Sequence, residues 1–338
     1  MPGKMNTKLK LLYLVDILEK MTDEEHPLSA NALCDLMIAK GVDCERKSIY
    51  KDVEVLRHFG YDIILSNSKK TPGYFMGERK FELAELRLLS DAVQAADFIT
   101  PKKTEKLVSK IESFASEGQA KMLHSQVYVE KRRKSTNEEI YYTISLLHDA
   151  INAGVKVNLI YTKRKFTGTY RVQKEEKAMV VNPYALIWSN DHYYLICNNV
   201  THDNLMHLRI DRIHTVELTK EPCRHFSEVS KYKEKFDVAD YSAKLFNMFS
   251  GEPMPVDIVC DNTIIDPILD KFGEKIKLIK VDDEHFALKT YAVVNEGLAG
   301  WVMNYGGKIK VRAPYELIHL VKESAKATLA NYAEDEEK

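Results

Sequence analysis

The apolar residues of this 338-residue chain change their spacing along the sequence, and that change constrains the fold more than any other feature. Residues 7–59 carry them at the intervals of short helices, and residues 61–76 indicate two strands around a polar turn. Residues 81–116 are helical and amphipathic. One helix and about five short strands begin near residue 140, and strands alternate with helices after residue 255. The pattern predicts an α+β chain of several domains.

The boundaries between these patterns divide the chain into four segments. Residues 1–80 have the helix, helix, helix, hairpin order of a winged helix-turn-helix DNA-binding domain. Residues 81–135 form a helical linker that also suits a dimer seam. Residues 136–250 predict a small β-barrel, closed or partly closed. Residues 251–332 predict an α+β module of ferredoxin-like character.

Composition excludes several classes of protein. The chain has 49 Lys and Arg against 50 Asp and Glu, and its net charge of -1 excludes a protein that coats nucleic acid through bulk charge. It has no apolar run long enough to span a membrane, and its polar first ten residues lack the core of a secretory signal. The five cysteines are scattered without a Cys-x-x-Cys pair, so neither a disulfide framework nor a zinc ribbon is indicated. We expect a cytoplasmic protein.

No sequence pattern supports catalysis. The chain lacks the glycine-rich dinucleotide motif, the phosphate-binding P-loop and the Gly-x-Ser-x-Gly elbow. His202, Asp203 and His207 are spaced too loosely to indicate a metal site. We therefore expect neither an enzyme nor a bound cofactor or metal.

The helix predicted over residues 45–57 carries the strongest local signal. Ile49, Val53 and Leu56 form an apolar stripe, and the opposite side of its first turns is basic. The N-terminal part of such a helix enters the major groove of DNA in helix-turn-helix proteins. The alternative is a helix whose charges simply face water. The residues predicted to contact DNA lie on this helix and in the turn of the hairpin: Arg46, Lys47, Ser48, Tyr50, Lys51, Arg57, Lys69 and Lys70.

These residues and several later motifs resemble WYL-domain transcriptional regulators. In the N-terminal domain the resemblance lies in residues 28–33 (LSANAL), 46–52 (RKSIYKD) and 73–75 (GYF). It continues at residues 182–184 (NPY), 193–195 (YYL) and 208–213 (LRIDRI), although Tyr193 stands where the family usually has Trp. Residues 300–307 (GWVMNYGG) and 311–314 (VRAP) are similar to the C-terminal extension domain of the family. The resemblance covers nearly the whole chain in the expected order.

The resemblance implies that the middle domain is an Sm-like barrel (the WYL domain) whose signature residues line a ligand-sensing pocket. Arginines bind phosphates and tyrosines stack on bases, so an anionic, planar ligand such as a nucleotide or short oligonucleotide is expected. Salt bridges between Asp211 and the neighbouring arginines are the alternative role for these polar residues. The residues predicted to bind the ligand are Tyr161, Tyr194, His207, Arg209 and Arg212.

We therefore predict a DNA-binding transcriptional regulator, a repressor, that acts as a homodimer on double-stranded operator DNA. One winged helix contacts one half-site, so useful affinity needs two copies. Two alternatives remain open. In the first, the barrel itself binds single-stranded DNA or RNA as its working surface. In the second, the helices of residues 81–116 and the C-terminal module are an interaction surface, and the barrel is scaffold.

Overall fold

The computed structural model describes residues 3–68, 71–123, 134–168, 172–233, 236–246, 248, 251 and 253–332 of the chain. The chain divides into two compact units, Met1–Glu138 and Glu139–Lys338. The described residues of the first form helices and one two-stranded antiparallel sheet, and those of the second form helices and two antiparallel sheets. The expected mixed α+β, multidomain class is therefore confirmed. Over the described ranges, none of the helices combines the length and apolar character that a membrane span requires.

The first unit begins with three helices and a two-stranded sheet. Ser29 starts the second helix because its hydroxyl accepts a hydrogen bond from the Ala32 amide at 3.2 Å. Gly60 ends the third helix at a φ of +115°, which favours glycine. The elements are α1 Gly3–Met21, α2 Ala30–Ala39, α3 Arg46–Phe59, β1 Ile63–Ser66 and β2 Gly73–Met76.

A backbone bridge attaches the hairpin to the segment before α2. The Leu28 amide donates to the Tyr74 carbonyl at 2.9 Å, and the Tyr74 amide donates to the Leu28 carbonyl at 2.7 Å. The sequence analysis missed this bridge because a single extended residue leaves no periodic pattern. Apolar side chains of α1, α2, α3 and the hairpin meet in one buried core, among them Leu14, Leu33, Ile49, Val53 and Ile63.

Three further helices lie among the described residues of the first unit: α4 Leu83–Ala95, α5 Pro101–Glu112 and α6 Glu117–Leu123. The buried carboxylate of Asp23, which follows α1, accepts a hydrogen bond from the hydroxyl of Ser116, which precedes α6. This contact fastens the start of α6 to the end of α1. The sequence analysis predicted α4 and α5 but not α6, whose seven residues are too few for a helical period to show.

The second unit starts with a helix and a five-stranded antiparallel sheet in the order β6-β5-β4-β3-β7. The elements are α7 Ile140–Ala153, β3 Val155–Phe166, β4 Val172–Ser189, β5 His192–Asn199, β6 Leu205–Arg209 and β7 Ile213–Pro222. Two of the short strands expected from the sequence, over residues 179–181 and 185–188, are parts of the single strand β4 in the structure. Its register shifts between Pro183 and Ala185, where proline has no amide hydrogen for the ladder.

The sheet is strongly curved. In a flat sheet the edge strands β6 and β7 would lie about 19 Å apart, at about 4.8 Å per strand. Here the 3₁₀ turn Ile210–Arg212 alone joins them, and such a turn spans about 8 Å. The two edges must therefore approach each other at this turn. The described residues contain no ladder between β6 and β7, however, so the barrel expected from the sequence is not closed by backbone hydrogen bonds.

The rest of the second unit is a four-stranded antiparallel sheet with helices. Its order is β11-β8-β10-β9, and the chain runs β8-α9-β9-β10-α10-β11 before the last helix. Val293 of this part packs in the same core cluster as Ala185 and Ile196 of the first sheet. The elements are α8 Val238–Ala243, β8 Pro253–Asp261, α9 Ile265–Phe272, β9 Leu278–Lys280, β10 His285–Val293, α10 Glu296–Met303, β11 Ile309–Ala313 and α11 Tyr315–Ala330.

Candidate functional site

The first turns of α3 present cations to solvent. Lys47 and Lys51 are exposed and form no ion pair or hydrogen bond within the described part of the chain. The Arg46 guanidinium donates from Nε to the Tyr50 hydroxyl at 2.8 Å and lies 5.8 Å from the centre of the Tyr50 ring. Tyr50 therefore holds Arg46 along the helix, and the other two guanidinium nitrogens remain as donors. Such a row of cations suits phosphates and guanine edges.

One side of α3 packs against α1 and is positioned by polar contacts with it. Lys10 donates to the Ser48 hydroxyl at 2.7 Å and forms an ion pair with Asp52, also at 2.7 Å. The Lys10 and Asp52 side chains are only 13% and 20% exposed. The Ser48 hydroxyl also donates to the Glu45 carbonyl at 2.6 Å, and it accepts from the Glu45 amide at 3.4 Å in a capping box at the helix start. Ser48 thus stabilises the helix and does not project with the cations.

The far end of α3 is fixed to the hairpin. Arg57, predicted to contact DNA, donates from Nε to the Ile63 carbonyl at 2.8 Å and forms an ion pair with Glu54. The rings of Tyr50 and Tyr74 meet edge to face at 6.4 Å between their centres, which connects the helix to β2. Lys69 and Lys70 in the hairpin turn lie outside the described residues.

Polar residues of the second unit gather at the turn between β6 and β7. Arg209 binds the Asp211 carboxylate with two nitrogens, at 3.0 and 2.8 Å, which is the salt bridge considered in the sequence analysis. Arg212 is half-buried and makes no hydrogen bond or ion pair with any residue that the structure describes. Tyr194 lies opposite Arg209 in the β5–β6 ladder.

The electrostatics of this turn favour an anion. Burial acts to raise the pKa of Asp211, but the hydrogen bonds and charge of Arg209 outweigh it and lower the pKa. Burial raises the pKa of Tyr194, against the opposing charge of Arg209. Arg209 is therefore neutralised by Asp211, while the charge of Arg212 is not balanced by an ion pair within the described ranges. Tyr161 is buried in β3, so its ring is not presented to a ligand.

Both ring nitrogens of His207 have hydrogen-bond partners within the protein. Its Nδ1 lies 2.7 Å from the Met248 carbonyl, and its Nε2 lies 2.9 Å from the Tyr241 hydroxyl. A carbonyl can only accept, so Nδ1 donates to Met248 and Nε2 accepts from Tyr241. Burial lowers the pKa of His207, in keeping with this neutral ring. His207 is committed to contacts within the protein, and we do not include it in the proposed site.

A cavity of about 380 Å³ lies beside β6, α8 and β8, and its lining contains none of the five predicted ligand residues. Tyr241, the partner of His207, is part of the wall of this cavity. The Asp240 carboxylate, also in the wall, accepts hydrogen bonds from the Tyr232 hydroxyl and the Lys244 amine. Sequence reasoning missed this cavity because the segment that forms its wall shows no motif or clear period.

A two-stranded arm extends from the curved sheet. We define the β3–β4 arm as residues 162–166 of β3 and 172–176 of β4, which pair with each other and, in the described residues, with no third strand. Arg164 lies directly opposite Lys174, and the exposed Phe166 lies opposite Val172. Like charges directly opposite each other destabilise a ladder. Its basic residues form no ion pair with the described residues: Lys163, Arg164, Lys165 and Lys174.

No cluster of metal-ligating side chains occurs among the residues that the structure describes. Two cysteines that are far apart in the sequence do come together, however. The Cys34 and Cys44 sulfurs lie 3.4 Å apart in the first unit, and the sequence analysis treated all cysteines as scattered. Ten residues of separation across a helix end give no recognisable motif.

Comparison with known proteins identifies two domains in the second unit. The WYL domain model matches residues 143–218, and the WCX domain model matches residues 252–329. No curated protein matches the chain. Among 14 matching chains of solved structures is the proteasome accessory factor B/C (PafBC) of Arthrobacter aurescens, with 16% identity and a TM-score of 0.27. The match covers 96% of this chain and 49% of that one, so this chain spans about half its length.

Proposed function

The chain carries a WYL domain followed by a WCX domain, and from that premise we propose that it is a WYL-domain transcription regulator that binds double-stranded DNA through α3 and the β1–β2 hairpin. WYL-domain regulators act on transcription and are not enzymes. The observation that carries the proposal is the row of Lys47 and Lys51 beside Arg46, in which both lysines are exposed and unpaired within the described ranges. It stands on a helix whose two ends are fixed to α1 and to the hairpin. This arrangement supports a winged helix-turn-helix over residues 1–80.

The finer architecture is part of the proposal. The curved five-strand sheet, with its edges joined by one 3₁₀ turn, supports an Sm-like barrel over residues 136–250. The βαββαβ order of β8 to β11 supports a ferredoxin-like module over residues 251–332. Residues 81–135 are the linker. A homodimer on an inverted repeat brings two copies of α3 to successive major grooves, and the protein represses transcription there.

The regulatory ligand is an anion with a planar group, bound at the β6–β7 turn. Arg212 binds the anion, Tyr194 stacks on the planar group, and Arg209 contributes through its remaining nitrogens. The turn joins both edges of the sheet, so a ligand that favours one curvature shifts the population of sheet conformations. The ligand then changes the affinity for DNA by the same factor by which DNA changes the affinity for the ligand.

The proposal is tested by DNA binding at two salt concentrations. Binding of the full chain to its own upstream DNA should be saturable and should weaken as salt rises, because phosphate contacts release counterions. The double variant Arg46→Ala and Lys47→Ala should reduce both the affinity and the slope against log salt, by about 0.9 for each phosphate that is no longer neutralised.

The matched control removes the same charge elsewhere. Lys310→Ala with Lys322→Ala takes two exposed cations from β11 and α11 and should leave the binding curve unchanged. If both double variants behave alike, α3 is not the DNA-contacting helix. Sedimentation of the complex should show two chains per operator, and one chain per operator would contradict the homodimer.

The β3–β4 arm favours a second candidate function, in which the WYL domain binds single-stranded nucleic acid. The arm carries four basic side chains against two acidic ones, Glu175 and Glu176, and has an exposed aromatic side chain at its end. Single strands are held in this way, by phosphate contacts and base stacking. Replacing Lys163, Arg164 and Lys165 with Ala should then abolish binding of a labelled single-stranded oligonucleotide but not of operator DNA. If the α3 variant instead loses both ligands, the arm is not a nucleic-acid surface.

A further inference from the structure

The two close cysteines of the first unit lie where the DNA-contacting helix begins. Cys34 is buried in α2, and Cys44 is half-buried in the segment that leads into α3. Their sulfurs are 3.4 Å apart, and a disulfide needs about 2.05 Å. Closing this gap requires a movement of a little over 1 Å, which rotation of the two side chains and a small shift of the segment can supply.

The two thiols differ in accessibility. Cys44 is two residues before the start of α3 and is partly open to solvent, so a small oxidant reaches it first. Burial, and then the hydrogen bond with Cys44, raises the pKa of Cys34 to about 11. Cys34 therefore stays a protected thiol until its neighbour has reacted. A partly exposed reacting cysteine beside a buried resolving cysteine is an arrangement from which an intramolecular disulfide forms.

We propose that Cys34 and Cys44 are an oxidative modification site that closes to a disulfide when the protein meets hydrogen peroxide. The Cys44 thiolate attacks one peroxide oxygen, so an S–O bond forms, the O–O bond breaks and hydroxide leaves to become water. The Cys34 thiolate, having given up its proton, then attacks the Cys44 sulfur, so the S–S bond forms and the S–O bond breaks. The leaving hydroxide takes up that proton. The two thiols lose two hydrogen atoms, and the peroxide is reduced to two water molecules.

The disulfide acts on α3 through the start of the helix. The Cys44 sulfur lies 3.8 Å from the Ser48 hydroxyl, which belongs to the capping box and also receives the Lys10 hydrogen bond. Drawing Cys44 towards α2 displaces this cap and with it Arg46 and Lys47. The effect on DNA rests on the proposed function, whereas formation of the disulfide does not. We expect the oxidised protein to bind operator DNA about tenfold more weakly, which is the effect of losing one specific contact between a side chain and a base.

The test treats the full chain with hydrogen peroxide and measures its intact mass and its free thiols. The mass should fall by two hydrogen atoms, and alkylation after denaturation should label two fewer cysteines than in the reduced protein. Peptide mapping without reductant should find Cys34 linked to Cys44. Cys44→Ser and Cys34→Ala should each abolish the mass loss, and Cys223→Ser, which removes a half-buried cysteine elsewhere, should not.

The outcomes separate the modification from the function. Oxidation of Cys44 to a sulfinic acid with Cys34 still free overturns the disulfide, and so does a cross-link to another cysteine. A disulfide that forms without changing DNA affinity, or whose effect dithiothreitol does not reverse, overturns the action on α3. If the disulfide forms and neither redox state binds DNA, the modification site stands and the proposed DNA-binding function fails.

Discussion

At the scale of single residues, the buried carboxylate of Asp23 links the end of α1 to the segment before α6. It accepts hydrogen bonds from the Ser116 hydroxyl, from the His26 ring at 2.8 Å and from the Glu25 amide at 3.0 Å. Burial acts to raise the pKa of Asp23, but the hydrogen bonds of Ser116 and His26 outweigh it and lower the pKa. A lowered pKa adds stability above the unfolded value of about 3.9, and that stability is lost as the pH falls through the folded value.

We therefore predict that Asp23→Asn lowers the free energy of unfolding at pH 6 by about 1–3 kcal/mol, the cost of disrupting a buried network. The difference from the wild type should shrink as the pH falls towards 3, because the wild-type carboxylate then takes up a proton. Denaturant unfolding at several pH values measures both. Asp43→Asn is the control and should show no such difference, because Asp43 is exposed and makes no hydrogen bond or ion pair with the described residues. A difference independent of pH would contradict the prediction.

Arg209 and Arg212 are predicted to respond differently to removal. Arg209→Ala leaves the Asp211 carboxylate, which is only 14% exposed, without its partner and should cost about 1–3 kcal/mol of unfolding free energy. Adding Asp211→Ala should restore part of that loss. Arg212→Ala breaks no ion pair within the described ranges and should change stability by less than about 0.5 kcal/mol while weakening nucleotide or oligonucleotide binding. Denaturant unfolding and ligand titration of the same samples check both, and a large stability loss in Arg212→Ala would show a structural role.

Sequence reasoning succeeds where a residue's role depends on near neighbours. The apolar residues of α3 recur every three or four positions, and its cations lie within the same two turns, so the local sequence pattern predicts both. The partners of His207 lie 34 and 41 residues away, at Tyr241 and Met248, and nothing local indicates them. The proximity of Cys34 and Cys44 was missed for the same reason.

At the scale of elements, helix ends and strand pairings decide the structure. Short segments in which apolar and polar residues alternate predicted most strands correctly. These include both strands of the β1–β2 hairpin and the four strands of the sheet β11-β8-β10-β9. The continuity of β4 was missed because its proline resembles a turn. The curvature of the five-stranded sheet could not be predicted from the sequence either, because it follows from a three-residue turn that joins the two edge strands of that sheet.

Two glycines in helical contexts should give opposite results when replaced with alanine. Gly60 ends α3 at a φ of +115°, and although the space around it is open, an L side chain is strained there. Gly60→Ala should lower the unfolding free energy by about 1 kcal/mol. Gly300, inside α10, is exposed with open space around it and lacks a positive φ, so Gly300→Ala should raise stability by about 0.4–1 kcal/mol. Thermal unfolding of the two variants provides the comparison, and the same sign for both would contradict this interpretation of their backbones.

At the scale of the whole molecule, the second unit contains two sheets with a shared core. Val293 of β10 is fully buried among Ala185, Ile196 and Tyr241, and its amide donates to the Lys244 carbonyl at 2.9 Å. The boundary predicted at residue 250 therefore passes between two domains that bury apolar side chains against each other. The sequence distinguished the domains by their patterns but not the packing between them.

We predict that residues 139–338 fold as a fragment, whereas residues 139–250 alone do not. Cutting after residue 250 exposes the side chains that Val293 covers, and each fully buried apolar side chain contributes about 1.5–3 kcal/mol. Limited proteolysis and thermal unfolding of both fragments measure this. A protease-resistant 139–250 fragment with a cooperative transition would contradict the shared core.

The ion pair between Lys10 and Asp52 has a consequence for the evolution of the protein. Losing either partner strands a largely buried charge, which is costly, whereas losing both is nearly neutral. Substitutions at these two positions should therefore occur together among related sequences, although the two lie far apart in the chain. Any lineage that replaces Asp52 on α3 must also replace Lys10 on α1, so substitutions in the first helix should record those on the side of the third helix that packs against it.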